Sequence, residues 1–148
     1  ANKLSGENLF SYVLMSDGET NEGTTWEASH YAIQNQLDNL IILIDKNGLQ
    51  GFGYTNDILG NSADANKWKA IGFDVFEADG HNPAELIELI ETVKNRSNGL
   101  PKVIIAHTVK GKGVSYMENR MEWHYLPMSD TQYEQAKNDV LDAYGVTN

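Results

Sequence analysis

An aspartate and an asparagine thirty positions apart, each standing just after a short apolar run, are the residues of this 148-residue sequence best placed to do chemistry. Asp17 lies in Ser16-Asp17-Gly18-Glu19-Thr20-Asn21-Glu22-Gly23, and Asn47 in Asp45-Lys46-Asn47-Gly48-Leu49. If the two runs are neighbouring parallel strands, both loops open beyond strand C-termini, where open α/β sheets bind their ligands. One carboxylate and one amide oxygen form a hard-oxygen pair suited to magnesium, an ion that keeps water and takes phosphate oxygens to complete its octahedron. A diphosphate supplies such oxygens. Gly18 would let it approach the backbone, and a helix starting near Glu22 would offer free N–H groups and a positive dipole end.

The elements that must position these residues follow from the hydrophobic pattern. Short β-branched or aromatic runs alternate with stretches of helical spacing, as expected of a mainly parallel sheet covered by helices. The spacing predicts strands over 9–15, 40–45, 73–77 and 101–108, and helices over 22–36 and about 63–71, the latter N-capped by Ser62. Asn82-Pro83 opens another helix carrying Leu86, Ile87, Leu89, Ile90 and Val93. A last amphipathic helix starts near Ser129 with Tyr133, Ala136, Val140 and Leu141 on one face. Residues 48–61 hold four glycines and read as a surface loop. The fold class is α/β, a three-layer sandwich forming a single domain over 1–148.

Composition removes several functions. A net charge of −10 and a pI near 4.7 disfavour nucleic acid and anionic membrane surfaces, so an anionic ligand needs a local site. The absence of cysteine excludes disulfides, zinc–thiolate sites and thiol chemistry. No apolar run reaches the roughly 20 residues of a membrane span, and the first residues lack a signal-peptide core, so the expectation is a soluble, cytoplasmic protein.

Ser16 to Leu49 resembles the thiamine diphosphate (ThDP) motif of transketolases, Gly-Asp-Gly followed by an Asn some thirty residues on. Glu19-Thr20-Asn21-Glu22-Gly23, Trp26-Glu27-Ala28, Leu37-Asp38-Asn39-Leu40 and Asn47-Gly48-Leu49-Gln50 extend the likeness. So do Asp79-Gly80-His81, Lys110-Gly111-Lys112-Gly113-Val114-Ser115, Met117-Glu118-Asn119 and Trp123-His124, so nearly the whole chain resembles the transketolase amino-terminal region, especially the subunit of split enzymes. Ser16 replaces the motif's first glycine, and Tyr125 stands where a small residue is usual.

The resemblance implies that Asp17, Asn47 and the Leu49 carbonyl bind Mg²⁺, with Ca²⁺ or Mn²⁺ as substitutes. It implies that Gly18, Asn47 and His124 contact the cofactor, His124 also facing the sugar as the candidate catalytic residue, while Glu22 couples to the activating glutamate across a dimer. The implied activity is transfer of a two-carbon ketol unit between sugar phosphates. The implied partners are a C-terminal subunit supplying the pyrimidine-binding domain and that glutamate, and an N-terminal segment upstream, in a dimer or heterotetramer that this chain needs for turnover. A 1-deoxyxylulose-phosphate synthase-like or other ketol or acyl transferase is the alternative, and a non-catalytic isolated fragment a third reading.

Plainer readings account for other features. Asp45-Lys46-Asn47 opens like a calcium loop, but Gln50 stands where the turn glycine belongs and Asn56 where the closing glutamate does. The Lys110-Gly111-Lys112-Gly113 run lacks phosphate-loop spacing and reads as a strand-ending turn or support for the substrate loop. His30 and His107 read as packed or interface residues, the three tryptophans as packing or subunit contacts, and His81 has no assigned role.

Overall fold

The computed structural model describes residues 2–7 and 9–145. In chain order its elements are α1 (Asn2–Ser5), β1 (Ser11–Ser16), α2 (Gly23–Gln34), β2 (Leu40–Lys46), β3 (Leu49–Gln50), β4 (Gly53–Tyr54), α3 (Thr55–Ile58), α4 (Ala65–Ile71), β5 (Asp74–Asp79), α5 (Pro83–Lys94), β6 (Lys102–His107) and α6 (Asp130–Ala143). Short 3₁₀ turns cover Gly18–Asn21 and Met121–His124.

β1, β2, β6 and β5 form, in that order, one sheet in which every neighbouring pair is parallel. The central strands explain themselves. Leu40–Lys46 and Lys102–His107 are near-continuous apolar runs, which suits strands covered on both faces. Ile42, Ile44, Val103 and Ile105 pack with Trp68 and Phe73 and with Trp26 and Ile33 of α2, making one apolar layer. Ile41 and Ile104 point the other way, onto Val93, Leu86, Leu89 and Ile90 of α5. Alternation along each strand thus feeds two cores, and helices on both faces complete three layers. Trp68 anchors the first core, its ring 5.1 Å from that of Trp26 and 5.0 Å, edge-on, from that of Phe73.

Two expectations need correction. The cap of α4 is Asp64, whose side chain accepts the Asn66 N–H, because the helix starts two residues later than its apolar spacing suggests. Ser62 instead turns its hydroxyl to the site loop. Residues 48–61 are more ordered than a glycine count implies, since β3 and β4 pair antiparallel and α3 follows. The apolar face of α6 is open, with Tyr133 and Val140 exposed. Its start is as expected, a reciprocal cap in which the Ser129 hydroxyl accepts the Gln132 N–H and the Gln132 side chain accepts the Ser129 N–H.

Candidate cofactor site

The site grows from the parallel register of β1 and β2, which sets Ser16 beside Asp45. The Asp17 N–H then donates to the Asp45 carbonyl at 3.1 Å, so the two strand-end loops leave the sheet together. Asp17 is 1% exposed. Its Oδ2 accepts the Gly48 N–H at 2.6 Å, while Oδ1 is buried with no partner. Burial raises the carboxyl's pKa, against the N–H groups of Gly48 and Gly18 and the hydroxyl of Thr55, which pull it down. That hydroxyl stands near the carboxylate without completing a hydrogen bond and is itself buried and unpartnered.

Asn47 folds its side chain back, Oδ1 accepting the Leu49 N–H at 3.0 Å, and Leu49 begins β3 almost fully buried. Asn47, Leu49, Gly18 and His124 line one cleft of about 330 Å³, joined by Gln50 and Lys110. Asp17 opens onto an adjoining cleft of about 380 Å³, which Asn47 also lines. His124 ends its 3₁₀ turn against the backbone of Gly51, where a Cβ would lie 3.5 Å from the imidazole Nε2.

The orphaned Asp17 Oδ1 is the observation that tests for a cation. A buried carboxylate oxygen without a donor costs free energy unless something positive meets it, and an amide oxygen and a peptide carbonyl stand in the same loops. Among the described residues no group of three or more His, Asp or Glu side chains gathers around a common point. A cation here would therefore draw on one carboxylate, neutral oxygens, water and ligand phosphate, which is the donor set of magnesium. The residues fit the group.

The turn after β1 is held by its own polar atoms. Ser16, in place of the motif's glycine, forms a reciprocal pair with Glu19: the Ser16 N–H donates to the Glu19 carboxylate at 2.7 Å and the Ser16 hydroxyl accepts the Glu19 N–H at 3.3 Å. Trp26 Nε1–H donates to the Thr20 carbonyl at 2.9 Å and ties the turn to α2. Thr20 and Ser62 hydroxyls meet at 2.5 Å, and Ser62 donates to Asn21 Oδ1 at 2.6 Å. Gly18 has less open space above it than expected, since a Cβ there would sit 3.0 Å from Gln50 Cβ and Oε1.

The other histidines lie apart from these contacts. His30 is exposed on α2 rather than packed. His107 is exposed too, Nε2 pairing with Glu77 at 2.8 Å, although it borders the Asp17 cleft. His81 Nε2 accepts the Val109 N–H at 2.7 Å, a structural role. Trp123 packs edge-on against Tyr116, 5.0 Å between centroids. Glu22 lines the main cleft and is exposed in this chain. Sequence reasoning missed Gln50 and Lys110 as lining groups. For Lys110 a signal existed, since it follows the C-terminal end of a central strand, where ligands bind.

Residues 4–145 match the family model described as "Transketolase, thiamine diphosphate binding domain". The chain belongs to the transketolase family. It is 42% identical to a subunit of the apulose-4-phosphate transketolase of Actinobacillus succinogenes, covering 96% of this chain and 51% of that protein. Human transketolase is 33% identical over 87% of this chain and 20% of its own length. The crystal structure of Campylobacter jejuni transketolase superposes with a TM-score of 0.82 at 28% identity, over 90% of this chain and 21% of that one. The chain thus spans about half the length of the split-transketolase relative and a fifth of the long transketolases. The transketolase match includes both site loops, Lys110 and the His124 turn.

Proposed function

We propose that this chain holds the diphosphate of ThDP through Mg²⁺ and serves as one component of a transketolase that moves a two-carbon ketol unit between sugar phosphates. The observation that carries the reading is the buried, unpartnered Asp17 Oδ1 beside Asn47 at two paired parallel strand ends. Asp17, the Asn47 side chain and the Leu49 carbonyl would take the metal, and the Gly18 backbone and Asn47 would meet the diphosphate. His124 donates to phosphate and sugar, setting their relative orientation, which lowers the barrier by removing the entropy of alignment from the reacting step. Lys110 offsets the phosphate charge locally in a chain whose net charge is −10.

When bound, ThDP supplies the electron sink that breaking and remaking the ketol carbon–carbon bond requires. Glu22 at the cleft mouth fits a carboxylate completed by a neighbouring subunit, and relatives named as single subunits of a transketolase support a second polypeptide. We assign the assembly a dimeric or heterotetrameric form, a cytoplasmic setting and a place in sugar-phosphate metabolism, the chain alone being inactive.

The test is calorimetric titration of ThDP with Mg²⁺ into the protein, alone and with its partner subunit, followed by a ketol-transfer assay. Magnesium-dependent binding that tightens with partner is expected. Asp17→Ala should weaken it on the order of a hundredfold, and unchanged affinity in that variant would overturn the site assignment.

A further inference from the structure

Four buried side-chain polar atoms lack a partner among the described residues: Asp17 Oδ1, Thr55 Oγ1, Gln50 Nε2 and Trp68 Nε1. Trp68 belongs to the core. Asp17 and Gln50 flank Gly18 and are complementary, a carboxylate oxygen lacking a cation and an amide N–H₂ lacking an acceptor. A metal diphosphate is a ligand that satisfies both at once. We propose that Gln50 is a positioning residue of this site, donating from Nε2 to a phosphate oxygen of the bound diphosphate. The proposal rests on the function assigned above.

The orientation of the amide is set from behind. Ser62 donates its hydroxyl proton to Asn21 Oδ1 at 2.6 Å, while the Thr20 hydroxyl, 2.5 Å from that of Ser62, donates to the Asp17 carbonyl. With Oδ1 so engaged, Asn21 presents Nδ2, which donates to Gln50 Oε1 at 3.2 Å. Donation thus runs from Ser62 to Asn21 to Gln50, and both Nε2 protons remain unused. The side chain is fixed in place as well, lying over Gly18 so closely that a Cβ at position 18 would meet it at 3.0 Å. A donor that is buried, immobilised and unsatisfied is costly without ligand and is relieved when an anionic acceptor enters. Its place on the cleft shared with Asn47, Lys110 and His124 points to phosphate rather than to a protein group.

The test uses the protein in its native assembly, comparing wild type, Gln50→Met and Gln50→Glu. ThDP affinity with Mg²⁺ is measured by calorimetry, and the melting temperature of each variant without cofactor. Methionine keeps the volume over Gly18 but removes the donor, so affinity should fall about tenfold while the cofactor-free melting temperature holds or rises. Glutamate sets a like charge on the diphosphate and should bind more weakly still. Wild-type affinity in Gln50→Met, or an effect seen only in the KM for sugar phosphate, overturns the proposal. So does a loss of affinity accompanied by a lower cofactor-free melting temperature, which marks a merely structural side chain. Absence of magnesium-dependent binding in the wild type itself would instead overturn the parent reading.

Discussion

At the scale of single residues, the cost of the site is visible in Asp17. Burial raises its pKa above the ordinary 3.8, so between that value and the raised one the folded state binds more protons than the unfolded state. Stability contributed by this group therefore falls as pH climbs through that window and stays lowered at neutral pH. Asp17→Asn removes the buried charge, keeps an acceptor for the Gly48 N–H and offers a donor to the Thr55 hydroxyl. The cofactor-free variant should melt higher than wild type at neutral pH, with a smaller difference near pH 4, while magnesium-dependent ThDP binding is lost; scanning calorimetry at several pH values checks the first and titration the second. Asp17 and Asn47 were legible in the sequence because their chemistry and their position after apolar runs point the same way. Gln50 was not, because its meaning depends on Asn21, which reaches it from another segment of the chain and is itself held by Ser62. The Ser16 departure was legible only as a difference; its reciprocal bonding with Glu19 exists only once the turn has closed.

At the scale of elements, the four long strands and the helices between them follow from periodicity, since a fully apolar run such as Leu40–Ile44 has few stable alternatives to a covered strand. The β3–β4 hairpin was illegible because two residues per strand carry no periodic signal. The segment after β6 is a different case, a run of turns held by backbone bonds, including the Asn119 N–H to the Lys110 carbonyl at 3.0 Å. Within it Gly111 has φ of +74°, and a Cβ would fall 2.7 Å from Met117 Cβ and carbonyl oxygen. Gly111→Ala combines a disfavoured backbone with a steric clash and should cost about 2 kcal/mol or more, read by denaturant unfolding. Because Lys110 is its neighbour, the same change should weaken ThDP binding in protein that remains folded.

At the scale of the whole molecule, the sheet ends at β1, and Tyr12, Val13 and Leu14 of that edge strand stand 49%, 41% and 76% exposed. Apolar side chains along a sheet edge mark a surface that associates. The chain on its own should self-associate, and Leu14→Lys should weaken that association about tenfold, as measured by sedimentation velocity; an unchanged distribution would place the contact elsewhere. The open apolar face of α6 adds a second such surface. The tryptophan pair in the first core has a use beyond packing. Trp26 is hydrogen-bonded to the turn that follows Asp17 and lies 5.1 Å from the fully buried Trp68, so any rearrangement of that turn on ligand binding reaches two coupled indoles. A ligand that shifts that turn should therefore change the protein's own emission, which makes occupancy readable without a label.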